Sequence, residues 1–108
     1  MTLLIIDIGS SSVRALLFDD QARPVPGAVV TQSHQFLTDA SGAATADPHH
    51  LRDIVEHCID TILIHPAADQ IRAVGMATFV GNLMGVDERG EPLTPLYTYA
   101  DTRSHDDV

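Results

Sequence analysis

The stretch Leu3-Leu4-Ile5-Ile6-Asp7-Ile8-Gly9-Ser10-Ser11-Ser12-Val13-Arg14-Ala15-Leu16-Leu17-Phe18-Asp19 decides the fold. Leu3 to Ile6 is an unbroken apolar run followed by Asp7 and Ile8, the pattern of a strand covered on both faces. Val13 to Phe18 is a second such run, interrupted only by Arg14. Between them Gly9 to Ser12 has room for nothing longer than a hairpin turn. A strand-end carboxylate, three hydroxyls and several backbone N–H groups therefore converge at one spot. That set suits a phosphate with its metal ion, the amides and hydroxyls taking phosphate oxygens while Asp7 holds Mg²⁺ through water. A plain serine-rich hairpin with an exposed Asp has the same sequence, and this stretch alone does not choose between the two.

Working outward, Asp19 to Gly27 reads as a turn, with acids, two prolines and a glycine. Ala28 to Gln35 is a third strand, more polar than the first two and so suited to an edge. Three strands with short connections make an antiparallel meander. Phe36 to Ala46 is small and polar and reads as a loop. Asp47-Pro48 opens a helix, with Asp47 capping free N–H groups and Pro48 at a position where its missing N–H costs nothing. Leu51, Ile54, Val55, Cys58, Ile59, Ile62 and Leu63 form one apolar stripe that packs on the sheet, and Pro66 ends the helix. Ile71 to Ala77 is a fourth strand, reached through the helix and hence parallel to the first. Gly81 to Val86 is a fifth apolar segment turned by Asp87 to Gly90, and Pro92 and Pro95 hold the remainder extended. The fold class is α/β.

Composition narrows the function. The chain has 108 residues, enough for one small domain. Fifteen acidic residues against six basic ones give a net charge of −9, which argues against nucleic acid or an anionic membrane as partner. All six basic residues are Arg, so lysine chemistry is excluded. Asp7 interrupts the N-terminal apolar run, which reads as neither signal peptide nor membrane span. The single cysteine, Cys58, has no internal disulfide partner and sits on the apolar stripe as a core residue, pointing to a reducing cytoplasm.

No Gly-x-Gly-x-x-Gly or Gly-x-x-x-x-Gly-Lys loop occurs, which excludes the Rossmann and P-loop phosphate sites. His50, Asp53 and His57 share a helix face, but that face lies away from the apolar stripe and reads as solvated rather than as a metal site. A second cluster, Thr78, Phe79, Asn82, Tyr97, Tyr99, Asp101 and Arg103, supplies the aromatic platforms, amides and carboxylate that a polyhydroxyl ligand needs. The same tyrosines filling a core, with Asp101 and Arg103 as surface charges, is the other reading.

The order of these pieces resembles a known family. Asp7-Ile8-Gly9-Ser10-Ser11-Ser12-Val13-Arg14-Ala15 resembles the first phosphate motif of the sugar kinase, Hsp70 and actin superfamily. Gly75 to Thr78, Leu83 to Asp87, Gly90 to Leu96 and Tyr99-Ala100-Asp101-Thr102-Arg103 follow in the order of the FGGY carbohydrate kinases, and Gly42 to Asp47-Pro48 with its helix sits where that family has a Glu-x-Asp-Pro helix start. The resemblance implies a partial ribonuclease H-like fold, the antiparallel meander plus a helix and a parallel strand. It implies transfer of the ATP γ-phosphoryl group to a sugar or sugar acid, with Mg²⁺. By the family pattern Asp7 helps hold the metal, while Gly9, Ser10, Ser11 and Arg14 belong to the phosphate site. Thr78, Phe79, Asn82, Tyr99, Asp101 and Arg103 fall on the substrate side. Two positions depart from the pattern: Gly81 stands where many relatives carry a His, and Tyr99 where Trp is usual. The Thr78-Phe79 and Ala100 to Arg103 wording leans toward gluconate-type members.

Family kinases are several times longer, with a catalytic Asp beyond the position of Val108. The resemblance therefore implies residues 1–108 as the N-terminal part of the first, sugar-binding domain, with no catalytic base of its own and no activity alone. Two alternatives stand beside it: a non-catalytic binding or assembly module, self-associating through exposed sheet surface, and another ATPase of the same superfamily.

Overall fold

The computed structural model describes residues 1–107. In chain order it contains β1 (Thr2–Ile8), β2 (Ser12–Asp19), β3 (Pro24–Ser33), two short strands β4 (Leu37–Thr38) and β5 (Ala44–Ala46), and α1 (Pro48–Ile62). A 3₁₀ turn (Pro66–Gln70), β6 (Ile71–Thr78), β7 (Leu96–Tyr97) and a last 3₁₀ turn (His105–Asp107) follow. The main sheet has the order β3-β2-β1-β6. β1 pairs antiparallel with β2 and parallel with β6, as the meander and the helical crossover require. No helix among the described residues is long and apolar enough to cross a membrane.

α1 lies across β2 and β3 and only grazes β1. Its stripe, Ile54, Cys58 and Ile62, closes on Leu4, Ile6, Val13, Ala15, Leu17 and Ala28 to form the core. His50, Asp53 and His57 are all exposed on the opposite side. The apolar run of β1 is not buried on both faces, however: Leu4 and Ile6 are buried while Leu3 and Ile5 are half-buried. One helix covers one face, and the other has no layer over it. The helix-covered face is itself incomplete, because Val74 and Met76 stand in register with Leu4 and Ile6 yet remain 59% and 63% exposed.

Three local expectations are corrected. β3 begins at Pro24 rather than Ala28, so Pro24 and Pro26 lie within the strand; an edge strand has an unpaired side on which a missing N–H is harmless. The turn before it shortens, held by the Asp19 carboxylate on the Gln21 and Arg23 N–H groups at 2.9 Å. The segment 36–46, expected as loop, contributes β4 and β5 to a second sheet of order β4-β5-β7. Gly81 to Val86 forms no strand, only isolated bridges from Leu83 to Tyr97 and from Val86 to Pro92. The second sheet rests on pairing across 52 positions, Thr45 with Tyr97, which local pattern does not encode.

Candidate functional site

The turn between β1 and β2 is built around a close approach. Gly9 N–H donates to Ser12 O at 2.8 Å, and a Cβ on Gly9 would stand 2.9 Å from that oxygen. Only glycine fits without displacing the turn. The N–H groups of Ser10 and Ser11 have no protein acceptor among the described residues, so they are available to an anion. At the strand end Asp7 faces Arg14 in the antiparallel register, and the Arg14 guanidinium is hydrogen-bonded to the Asp7 carboxylate. Both side chains are partly exposed, 27% for Asp7 and 49% for Arg14.

This donor set decides which metal it fits. Among the described residues no three His, Cys, Asp or Glu side chains cluster as a protein-only metal cage. Mg²⁺ asks for less, one or two carboxylates with water and phosphate oxygens completing its shell. Asp7 beside open amides fits that requirement once Arg14 turns away from it.

The substrate-side residues divide into two groups. Tyr97, Asp101 and Arg103 line an open cleft of about 540 Å³ together with Gly81, Leu83 and Thr98. Asp101 Oδ2 accepts from Ala44 N–H at 3.1 Å and from Arg103 Nη2 at 2.7 Å, and its Oδ1 accepts from Arg103 N–H at 3.1 Å. The Arg103 guanidinium first, then these amides, holds Asp101 well below the usual carboxylate range against an opposing effect of burial. The same bond raises Arg103 above its ordinary value. Arg103 also lies 5.7 Å from the Tyr97 ring centroid, within cation–π range. The carboxylate therefore ties the cleft to β5.

The other group is aromatic. Phe79 and Tyr99 meet Phe36, with ring centroids 5.6 and 6.1 Å from it. Thr78, at the end of β6, is exposed. Asn82 donates to Phe79 O at 2.7 Å, and its buried Oδ1 has no partner, leaving an acceptor for a hydroxyl or a water. Gly81 has φ +79, and a Cβ there would lie 3.1 Å from Tyr99 Cβ. A histidine is therefore strained at this position, which accounts for one departure from the family pattern. Two residues escaped the sequence reading. His34 and Phe36 lie under the turn and the aromatic group, and a lone His ending a polar strand carries no signal of that.

A meander, a crossover helix and a parallel strand beside the first, with a Gly-Ser turn closing the first hairpin, make up part of a ribonuclease H-like fold. Residues 2–108 match the N-terminal domain of the FGGY family of carbohydrate kinases, and the chain belongs to that family. The match separates the chain from the other families of the superfamily. Gluconokinase of Bacillus subtilis (strain 168) is 28% identical over 99 residues, 92% of this chain and 19% of that protein. A xyloylose kinase from Brucella ovis superposes with TM-score 0.89 at 24% identity, covering 98% of this chain and 22% of the other. Gluconate kinase from Lactobacillus acidophilus does so with TM-score 0.82 at 22% identity, covering 97% and 21%. At these identities the solved structures speak for the fold. The chain spans about a fifth of the length of these relatives.

Proposed function

We propose that this chain is the N-terminal part of the first, sugar-binding domain of an ATP-dependent carbohydrate kinase acting in the cytoplasm. The observation that carries the reading is the pair of open amides at Ser10 and Ser11 beside Asp7, at a strand end of an FGGY domain. Gly9 lets the backbone approach the phosphates, Ser10 and Ser11 donate to them, and Arg14 pairs with them on leaving Asp7. Asp7 helps hold Mg²⁺, which when bound neutralises phosphate charge on a chain of net charge −9. On the substrate side Asp101, set by Arg103, accepts from sugar hydroxyls. Asn82 offers its free Oδ1, Thr78 its hydroxyl, and Phe79 and Tyr99 apolar faces. The gluconokinase relative and the wording at Thr78-Phe79 and Ala100 to Arg103 favour a sugar acid.

The test is an ADP-release assay on the complete polypeptide over gluconate, xylulose and glycerol, with the 108-residue chain in parallel. Gluconate is expected to be turned over fastest by the complete polypeptide, and the short chain to turn over none of the three. No turnover of any sugar by the complete polypeptide defeats the kinase reading; turnover by the short chain defeats its incompleteness. A second reading, a non-catalytic assembly module, draws on the uncovered β6 face. We infer that the isolated chain self-associates there.

A further inference from the structure

His34 makes two hydrogen bonds to the turn proposed for phosphate. Its backbone N–H donates to Ser11 O at 3.0 Å, and its ring Nε2 lies 2.7 Å from Gly9 O. A carbonyl oxygen accepts and never donates, so Nε2 carries the proton and the tautomer is fixed by the contact. One residue just beyond β3 thus holds a carbonyl at each end of the turn.

Peptide planarity converts this grip into an orientation. In a trans peptide the C=O and the following N–H point in opposite directions. Pinning Gly9 C=O toward His34 turns the Ser10 N–H outward, and pinning Ser11 C=O toward β3 turns the Ser12 N–H away from β3. The imidazole is itself backed by Phe36, 6.2 Å away between ring centroids, which in turn meets Phe79 and Tyr99. Phe79 N–H also donates to Ile8 O at 2.9 Å, directly before Gly9.

We propose that His34 is a positioning residue for the phosphate turn, presetting its outward amides for a nucleotide phosphate; this rests on the assignment of phosphate to that turn. The experiment compares wild type, His34→Leu and His34→Gln in the complete polypeptide, by amide hydrogen exchange and by calorimetric binding of MgATP and of sugar. His34→Leu removes the donor, and His34→Gln keeps an amide N–H at similar reach. Losing one such bond is expected to speed exchange of the Gly9 amide about tenfold and to weaken MgATP binding about tenfold. Sugar affinity and exchange at Ile54 and Cys58 in α1 should stay at the wild-type level, and His34→Gln should restore both changes. Unchanged exchange at Gly9 overturns the brace. Faster exchange with unchanged MgATP affinity, or equal losses for MgATP and sugar, overturns the positioning role. Failure of wild type to bind MgATP overturns the phosphate assignment and the role with it, whereas wild-type binding combined with either contrary result for His34→Leu overturns only the role.

Discussion

Asp101 binds Ala44 of β5 and Arg103 of its own segment through one carboxylate. Those bonds, the one from the Arg103 guanidinium above all, are stronger to the charged form, which is why its pKa falls below the ordinary 3.8. The sign of the consequence follows by linkage: as pH drops below 3.8 the unfolded chain takes up the proton first. The contribution of Asp101 to stability is thus complete above that value and fades as pH falls toward the depressed one. Asp101→Asn should flatten the acid limb of stability, seen in urea midpoints taken from about pH 6 down to about 2.5. Asp19 and Asp39 are lowered in the same direction, so part of the slope should persist; an acid limb as steep as wild type would contradict this account. The sequence marks Asp101 and Arg103 as either sugar contacts or surface charges, and the structure adds a third use, the tie to β5. That tie was illegible because Ala44 has no polar side chain, and its backbone N–H is what the carboxylate reaches.

At the scale of elements, α1 was the most readable part of the chain because its signals are local. Asp47 accepts from His49 N–H at 2.9 Å and from His50 N–H at 3.4 Å, and Pro48 follows it at the first turn. Asp47→Ala should cost about 1 kcal/mol, and Asp47→Ser should recover most of it. Urea denaturation of the three proteins measures this, and an alanine variant as stable as wild type would remove the cap from the argument. The hairpin of β1 and β2 and the parallel placement of β6 were equally legible, since apolar runs and a crossover helix leave few topologies open. The second sheet was not. β4 and β7 have two residues each and β5 three, too short for any alternation, and β5 and β7 pair across some fifty residues. The site follows the same division. Gly9, Ser10 and Ser11 announce a turn by composition, whereas His34 and Phe36 enter it only through the pairing of β3 with β2.

At the scale of the molecule, the two edges of the main sheet are treated differently. β3 carries Pro24 and Pro26 and ends in Thr31-Gln32-Ser33, features that discourage another strand from adding to it. β6 carries no proline and one charge, Arg72, and shows Val74 and Met76 to solvent on the helix side of the sheet, in the part that α1 does not reach. The radius of gyration is 16.4 Å, against about 13 Å for a compact domain of this length, so much apolar surface stays uncovered. An open strand edge beside exposed Val and Met is a template for a second copy. The charge of −9 on each copy opposes that pairing, and salt screens the repulsion. The isolated chain should therefore dimerise more strongly at about 0.5 M salt than at about 0.05 M, where the Debye length is several times longer. Sedimentation velocity across a concentration series reads this directly. Met76→Lys places a cation on this uncovered part of the sheet without touching the core, and it should return the chain to monomer at high salt. A chain that stays monomeric at both salt concentrations, or a Met76→Lys dimer as tight as wild type, would show that β6 is not the adhesive edge.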